Sequence, residues 1–372
     1  MLRKIMFVFL FMLAALFLFA WFGTQPLKHF GKLPAGERLA RIQASPNYSG
    51  GEFRYPLPTP TIIKEQGQRG ALLEFFLGDK TGRSPQKPMP SVKTGLRGLE
   101  PGQDQVIWMG HSSFYLQLGG FKILADPVFS PVASPVRFTT RAFPGTDIYK
   151  PEDLPDIDLL LISHDHWDHL DYRTVTALKE RVKKVLCPLG VGEHLEYWGF
   201  APEQILEGDW YDAFEPEPGL RVTVTPARHF SGRFLARNRT LWGSFVLETA
   251  ERKVFYSGDT GYGPHFAEIA ERFGGFDLAV LEDGQYNQAW HNVHMLPGEV
   301  WRASGDLRAR AVLPVHAGKF SISIHGWQEP YRLIHEVSLA GGAVLHTPII
   351  GQPVLIGDND QKFTRWWEED QD

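Results

Sequence analysis

Cysteine is almost absent from this sequence, since Cys187 is the only one among 372 residues. A single cysteine excludes an internal disulfide and a zinc site built from several thiolates. Long runs of lysine and arginine are also absent after the first few residues, and the formal net charge is −5 at pH 7. Because a nucleic-acid-binding surface needs concentrated positive charge, the composition argues against nucleic acid as a partner.

The chain also lacks an internal repeat, a low-complexity tract and a Gly-x-Ser-x-Gly element. The last absence removes the usual sign of a serine nucleophile in an α/β hydrolase. The residues that are present are 43% hydrophobic and 22% charged, a balance typical of a globular protein with a large core. We therefore expect one large domain with extensions.

One long apolar run stands at the amino terminus. Ile5–Phe22 contains 18 apolar residues and follows Arg3 and Lys4; a helix of that length spans roughly 27 Å, enough to cross a bilayer. The run is longer than the apolar region of a usual signal peptide and lacks a small-residue cleavage site, which favours an uncleaved anchor. Since positive residues stay inside, we predict a single-pass inner-membrane protein with its catalytic domain in the periplasm. A cleaved, soluble periplasmic protein is the alternative.

The next part of the chain, residues 26–100, is rich in proline and glycine, so turns and extended backbone are expected rather than long regular elements. From Gln105 onward, short apolar runs predict strands, with Gly119 and Gly120 as a hairpin turn, and helical patterns fall between the later runs. This alternation indicates an α/β fold in which helices cover sheets. The predicted segments are a transmembrane anchor or signal at 1–25, an N-terminal extension at 26–100, the main domain at 101–357 and a solvated acidic tail at 358–372.

The stretch "SHDHWDHLD" places three histidines and three aspartates directly after the apolar run "IDLLLI". In extended backbone, residues i and i+2 point the same way, so His164 and His166 can bind one metal ion together. Asp168 and His169, further along the turn, can face a second ion. Imidazole and carboxylate without thiolate suit zinc, or less often iron or manganese. A polar surface loop is the alternative reading of this stretch.

Further ligand-type side chains follow later strands. His229 follows "VTVTPAR", Asp259 follows "KVFYSG" and His316 follows "AVLPV". Sites in α/β layers are commonly assembled from residues at several strand ends. A structural zinc site usually closes with four ligands, and the chain offers seven candidates: His164, His166, Asp168, His169, His229, Asp259 and His316.

These motifs resemble those of a known family. "HDHWDH" fits the His-x-His-x-Asp-His signature of the metallo-β-lactamase superfamily, and "SGDTG" and "PVHAGKF" are similar to its later ligand motifs. The resemblance extends over roughly residues 105–330 and is strongest to the N-acyl-phosphatidylethanolamine-hydrolysing phospholipase D branch and its bacterial relatives, with "WMGHSSF", "LADPVFSP" and "HNVHMLPGEV" as supporting stretches. It implies a metallo-β-lactamase αββα sandwich, here with an N-terminal extension and membrane anchor.

The resemblance also implies roles for the ligand candidates. His164, His166 and His229 are expected to bind the first of two zinc ions, with iron or manganese as alternatives. Asp168, His169 and His316 are expected to bind the second ion. Asp259 is expected to bridge both, and Asp168 and Asp259 are the predicted catalytic carboxylates. Metal ions lower the pKa of bound water towards ~7, so a metal-bound hydroxide is the expected nucleophile.

Several other residues are candidates for secondary roles, each with a structural alternative such as core packing or a solvated loop. His111 and Asp126 are predicted to orient metal ligands. The guanidinium groups of an arginine-rich loop around His229 suit a phosphate diester, and the arginines of this loop are Arg228, Arg233, Arg237 and Arg239. The predicted substrate contacts are His294, Arg228, Tyr286 and Trp290.

The function predicted from these features is a phospholipase D-like phosphodiesterase that acts on membrane phospholipids, which its anchor would bring close. "LEDGQYNQAW" and "VHAGKF" look more like the bacterial branch, which includes lactonases. A lactonase or carboxylic ester hydrolase acting on a small metabolite is therefore the first alternative. A non-catalytic metal-binding envelope protein is the second. The sequence carries no signal of oligomeric state.

Overall fold

The computed structural model describes residues 6, 10, 12, 13, 28–63, 77–136, 138–233 and 236–368. None of the helices formed by these residues is long and apolar enough to cross a bilayer. The predicted anchor Ile5–Phe22 lies outside the described residues, apart from Met6, Leu10, Met12 and Leu13. The anchor therefore stays a prediction.

The described part of the N-terminal extension contains helix α1 (Gly36–Ala44) and a short hairpin of β1 (Tyr48–Ser49) and β2 (Glu52–Phe53). These regular elements are short, since α1 has nine residues and each strand of the hairpin has two. Ion pairs hold α1 on the main domain, because the Arg38 guanidinium lies 2.6 Å from the Glu207 carboxylate and 2.7 Å from that of Glu193. Both glutamates are largely buried, so the extension is part of the folded body.

The first of two large sheets formed by the described residues has seven strands. Its bounds are β3 (Gln105–Trp108), β4 (Phe114–Leu118), β5 (Phe121–Ala125), β6 (Ile157–Leu161), β7 (Val182–Pro188), β8 (Ile205–Gly208) and, from the end of the chain, Pro353–Leu355, which is β16. The order is β16-β3-β4-β5-β6-β7-β8. Pairing is antiparallel from β16 to β5 and parallel from β5 to β8. The predicted hairpin turn at Gly119 and Gly120 joins β4 to β5.

The second sheet repeats this pattern of three antiparallel and three parallel pairings. Its bounds are β9 (Ala213–Glu217), β10 (Leu220–Thr225), β11 (Ser244–Glu248), β12 (Lys253–Tyr256), β13 (Leu278–Glu282), β14 (Ala311–Val315) and β15 (Val344–Leu345). The order is β15-β14-β13-β12-β11-β10-β9, and pairing changes from antiparallel to parallel at β12.

Helices cover the outer face of each sheet. Side chains of α2 (Tyr172–Leu178) and α3 (Gly192–Tyr197) pack on the first sheet, and those of α4 (His265–Phe273), α5 (Pro297–Asp306) and α6 (Glu329–Ser338) pack on the second. The Asp171 carboxylate caps α2 by accepting hydrogen bonds from two of its first backbone amides. A third apolar cluster, which includes Phe114 and Phe245, fills the space between the sheets. The αββα layering that the resemblance implied is confirmed.

The end of the chain departs from the expectation of a solvated tail. Trp366 and Trp367 are 3% and 2% exposed and belong to the cluster between the sheets. The Trp366 ring meets the Tyr331 ring edge-on at a centroid distance of 4.6 Å. Burial of two indole rings outweighs the acidic character of the following residues, so the solvated-tail prediction is wrong for these two. The segment boundaries at 25, 100 and 357 stay predictions.

Candidate metal centre

The candidate ligands meet because the strands that carry them end at one edge of the sandwich. In the second sheet, β10 and β12 run the same way, since two antiparallel steps separate them, and β14 is parallel to β12. His229, Asp259 and His316 follow the carboxyl ends of these three strands. The "SHDHWDHLD" turn follows β6 of the first sheet, and the carboxyl end of β6 lies at the same edge of the sandwich.

One group of side chains comprises His164, His166, His229 and Asp259, whose potential ligand atoms all lie within 4.8 Å of one another. His166 Nδ1 is 2.8 Å from His164 Nε2 and 3.3 Å from His229 Nε2. Asp259 Oδ2 lies 3.8 Å from the first of those Nε2 atoms and 3.7 Å from the second. Three nitrogens and a carboxylate oxygen thus converge on one point.

A second group lies beside the first and comprises His111, Asp168, His169 and His316. Asp259 reaches this group with its other oxygen, because Oδ1 is 3.1 Å from His169 Nε2 and 3.1 Å from His316 Nδ1. The structure therefore brings all seven predicted ligands together, with the Asp259 carboxylate between the two groups. The bridging role assigned to Asp259 stays a prediction, but its position is the one that role requires.

Hydrogen bonding to the outer ring nitrogens shows that this donor set fits cations. His229 Nδ1 donates to the Val293 carbonyl oxygen at 2.9 Å, so in the neutral ring Nε2 presents a lone pair towards the Asp259 carboxylate. His169 Nδ1 is 2.7 Å from Asp126 Oδ2, while its Nε2 and Asp259 Oδ1 are buried without a hydrogen bond. Lone pairs facing a carboxylate repel it unless a positive charge lies between them. The site accordingly fits divalent metal ions.

The pKa directions of His164 and Asp259 agree with ligand chemistry, which needs neutral imidazole and ionised carboxylate, whereas the pKa of His169 moves in the opposite direction. Burial and the neighbouring imidazoles lower the pKa of His164 well below its usual value. Burial by itself raises the pKa of Asp259, but the imidazoles of His169 and His316 outweigh it and lower that pKa well below the usual range. Burial also lowers the pKa of His169, yet the carboxylates of Asp259 and Asp168 raise it well above its usual value. A cation is thus favoured next to His169 Nε2.

The two residues predicted to orient ligands lie directly behind them. His111 Nε2 is 2.9 Å from Asp168 Oδ2. Asp126 contacts His169 and also accepts hydrogen bonds from the Ser163 backbone amide at 2.8 Å and the Tyr256 hydroxyl at 2.5 Å. His111 and Asp126 have φ values of 53° and 39°, a left-handed backbone that costs a non-glycine residue free energy and is common at functional sites. Their orienting roles stay predictions.

A cavity of about 350 Å³ opens onto the site. Its lining residues are Thr61, Ile62, His166, Asp168, Phe230, Arg237, Asp259, Gln285, Trp290, Val293, His294, His316 and Ile322. Among these lining residues Arg237 is the only arginine or lysine, and its guanidinium lies 4.4 Å from the centroid of the Phe230 ring. The cavity therefore combines metal-ligand groups, an apolar wall and one fixed positive charge.

Two of the four predicted substrate contacts line this cavity, namely His294 and Trp290. Arg228 does not, because its guanidinium donates to Thr59 Oγ1 and to the carbonyl oxygens of Pro58 and Tyr262. The structure also turns Tyr286 away from the cavity lining, since this buried side chain donates to Glu329 Oε1 at 3.0 Å. Neither Arg228 nor Tyr286 is therefore among the residues that line the cavity, and substrate contact by these two side chains stays a prediction.

Sequence reasoning missed Glu282, which ends β13. Its fully buried carboxylate lies 2.8 Å from His294 Nδ1 and accepts a hydrogen bond from the Met295 amide at 2.6 Å. Burial by itself lowers the pKa of His294, but the Glu282 carboxylate outweighs it and raises that pKa. An acidic residue at the end of an apolar strand was the available signal. Thr61 and Ile62 carried no comparable signal.

Comparison with known proteins agrees with this geometry. The description "Beta-lactamase superfamily domain" belongs to the family whose profile matches residues 122–317. An uncharacterized protein of Mycobacterium tuberculosis is 33% identical over 365 residues, which are 93% of this chain and 95% of that protein. The mitochondrial N-acyl-phosphatidylethanolamine-hydrolyzing phospholipase D of Saccharomyces cerevisiae is 34% identical over 250 residues, but this match covers 63% of the chain and 52% of the yeast protein.

The structure of Igni18, a metallo hydrolase from the archaeon Ignicoccus hospitalis, supports the fold. It aligns with a TM-score of 0.51 at 21% identity, over 68% of this chain and 97% of that one. The family match extends over more than half of the chain and includes all seven candidate ligands. The same conclusion follows from the two layers of sheet, from the histidine and aspartate side chains that could bind metal, and from the family match. The chain is a metal-dependent hydrolase and belongs to the beta-lactamase superfamily.

Proposed function

We propose that this hydrolase is a phospholipase D-like phosphodiesterase that acts on membrane lipids. The observation that carries the proposal is the composition of the cavity, where the apolar side chains of Phe230, Trp290 and Val293 stand beside metal-ligand groups and Arg237. The hydrocarbon chains of a phospholipid would contact these apolar side chains, and its phosphate would contact the metal-ligand groups and Arg237. The likeness to the yeast phospholipase D adds support over the part of that protein that the chain matches.

The residues that would hold the metal ions follow from the two groups. His164, His166 and His229 would hold one ion, and Asp259 would contact both. The second ion would be held by Asp168, His169 and His316. Two divalent ions in such a site lower the pKa of water and neutralise charge on a phosphate oxygen. We propose zinc, because histidine and carboxylate ligands without thiolate suit it.

Side chains of the cavity would carry out the remaining steps of the hydrolysis. In phospholipase D-type hydrolysis, water supplies a new oxygen to phosphorus, and the bond between phosphorus and the head-group oxygen breaks. The leaving oxygen needs a proton. His294 is positioned to donate it, because Glu282 occupies Nδ1 at 2.8 Å and leaves Nε2 available to the cavity. Arg237 binds the anionic phosphate, and the apolar wall excludes bulk water.

Mass spectrometry of lipid extracts incubated with metal-loaded protein in oxygen-18 water tests the proposal. Phosphatidic acid that carries the label in its phosphate, together with a free head-group alcohol, is the expected result. Label in a carboxylate with phosphorus untouched would instead establish the lactonase or esterase alternative. No product from any lipid, lactone or ester would favour a metal-binding envelope protein.

We further propose that Ile5–Phe22 anchors the chain in the inner membrane with the catalytic domain in the periplasm, which places the cavity near its lipid substrates. The support is the length of the apolar run and the positive residues before it. A reporter fused after Asp372 should be active only outside the cytoplasm, and the protein should resist carbonate extraction. Mature protein that begins between residues 21 and 26 would replace the anchor with a cleaved signal.

A further inference from the structure

A segment of the N-terminal extension forms part of the active-site cavity. Thr61 and Ile62 line it together with the ligand-group residues His166, Asp168 and Asp259. They lie more than 100 residues before the first of these in the sequence. The family profile matches residues 122–317, so this part of the cavity wall lies outside the matched profile.

Hydrogen bonds fix this segment against the rim of the site. The Ile63 amide donates to the Ala289 carbonyl oxygen at 2.7 Å, and Asn292 Nδ2 donates to the Pro60 carbonyl oxygen at 3.3 Å. Both partners flank Trp290, which lines the cavity as well. These two hydrogen bonds therefore join residues 60–63 to the loop 289–292.

Arg228 secures the other end of the segment. Its Nε donates to Thr59 Oγ1 at 3.1 Å, and its Nη2 donates to the Pro58 carbonyl oxygen at 3.1 Å. The Arg228 backbone is itself fixed beside the metal site, because its amide donates to Thr260 Oγ1 at 2.8 Å and its carbonyl accepts from the Gly261 amide at 2.8 Å. Arg228 thus ties the extension to the two loops that carry His229 and Asp259.

We propose that residues 58–63 are a specificity wall, in which Ile62 contacts the hydrocarbon chain of the substrate and Arg228 is a positioning residue. This inference rests on the proposed function in so far as it assumes an amphiphilic substrate. The wall is apolar where it meets the cavity, since Ile62 faces the same space as Phe230, Trp290 and Ile322. A substrate without a long apolar chain gains little from Ile62.

Binding of dodecyl phosphate and butyl phosphate, measured by calorimetry on metal-loaded protein, tests the wall without catalysis. Ile62→Ala should weaken dodecyl phosphate binding on the order of tenfold and leave butyl phosphate unchanged, because removed methylene contacts affect only the longer chain. Leu57→Ala is the matched control, since Leu57 directly precedes residues 58–63 but is 44% exposed and does not line the cavity. It should change neither affinity.

The positioning role of Arg228 is tested by a double-mutant cycle with Thr59. Arg228→Gln and Thr59→Val should each reduce the ratio of dodecyl to butyl phosphate affinity with metal content unchanged, and the double variant should be no worse than Arg228→Gln alone. Additive losses, or loss of metal from Thr59→Val, would overturn this role.

The outcome for the wall is separable from that for the proposed function. An unchanged affinity ratio in Ile62→Ala, or failure of wild-type protein to bind dodecyl phosphate, would overturn the wall even if labelled phosphatidic acid is formed. A changed ratio would support the wall even if the oxygen-18 label appears in a carboxylate and the phosphodiesterase proposal fails.

Discussion

Substitution of Asp126 by asparagine probes how the buried polar network supports the metal site. Asp126 is fully buried, and its Oδ2 contacts His169 Nδ1 at 2.7 Å, the Tyr256 hydroxyl at 2.5 Å and the Ser163 hydroxyl. Asparagine places an NH₂ donor against at least one of the donors that Asp126 now satisfies. It also removes the charge that strengthens these bonds, each worth about 1.5–3 kcal/mol.

We expect two measurable consequences of Asp126→Asn. The free energy of unfolding should fall by about 3–5 kcal/mol, the usual cost of breaking a buried charged network. Metal affinity should fall by about 10- to 100-fold, because His169 loses the partner that fixes its ring and tautomer. Urea denaturation measures the first quantity, and competition with a chelator followed by elemental analysis measures the second.

Asp171→Asn is the matched control. Asp171 is also an aspartate that accepts several hydrogen bonds, but it caps α2 and contacts no candidate ligand. Asparagine is nearly as good an N-cap as aspartate, so both stability and metal affinity should change little. If Asp126→Asn loses stability but keeps wild-type metal affinity, Asp126 serves the core and the reasoning about His169 is wrong.

Three further predictions concern the metal ions, the bridging carboxylate and acid stability. Elemental analysis should find two metal ions per chain, and His164→Ala with His166→Ala should remove at least one; wild-type protein without metal, purified without chelator, would contradict this. Asp259→Asn should reduce the hydrolysis rate at least ~100-fold, whereas a near-normal rate would exclude a bridging role. Burial and Arg228 lower the pKa of His265 to about 3, so the folded state resists its protonation and stability is lost as pH falls from about 6.5 towards 3. Between pH 7.5 and 5, wild-type protein should therefore lose about 2 kcal/mol more unfolding free energy than His265→Gln. Urea denaturation at the two pH values measures this loss, and an equal loss in the two proteins would refute the prediction.

Central strands were predictable, but edge strands were not. The runs that form β6 and β13 are mostly apolar because both faces of these strands are covered, so composition alone marks them. β9, at the edge of the second sheet, has no fully buried residue, and β15 has only two half-buried residues. Strands of this kind are defined by their neighbours rather than by their own side chains, and the sequence pattern missed them.

The arginines around His229 illustrate a second limit. Arg228, Arg233 and Arg237 look equivalent in the sequence as phosphate-binding candidates. In the structure, Arg233 is buried and donates to the carbonyl oxygens of Asp165 and Leu170, while Arg228 holds the extension. Only Arg237 of the three lines the cavity. The direction of a long side chain depends on acceptors that arrive from distant segments, and residue type alone does not supply them.

By itself, the sequence determined the candidate metal ligands of the first turn, because His164, His166, Asp168 and His169 lie close together in the chain and local backbone geometry is enough to bring them together. Strand-end positions extended this to His229, Asp259 and His316. The tertiary structure alone decided which oxygen of Asp259 faces each group, that Glu282 supports His294, and that the extension supplies Ile62 to the cavity. These contacts join segments far apart in the chain, and their distances depend on how the two sheets and the extension pack.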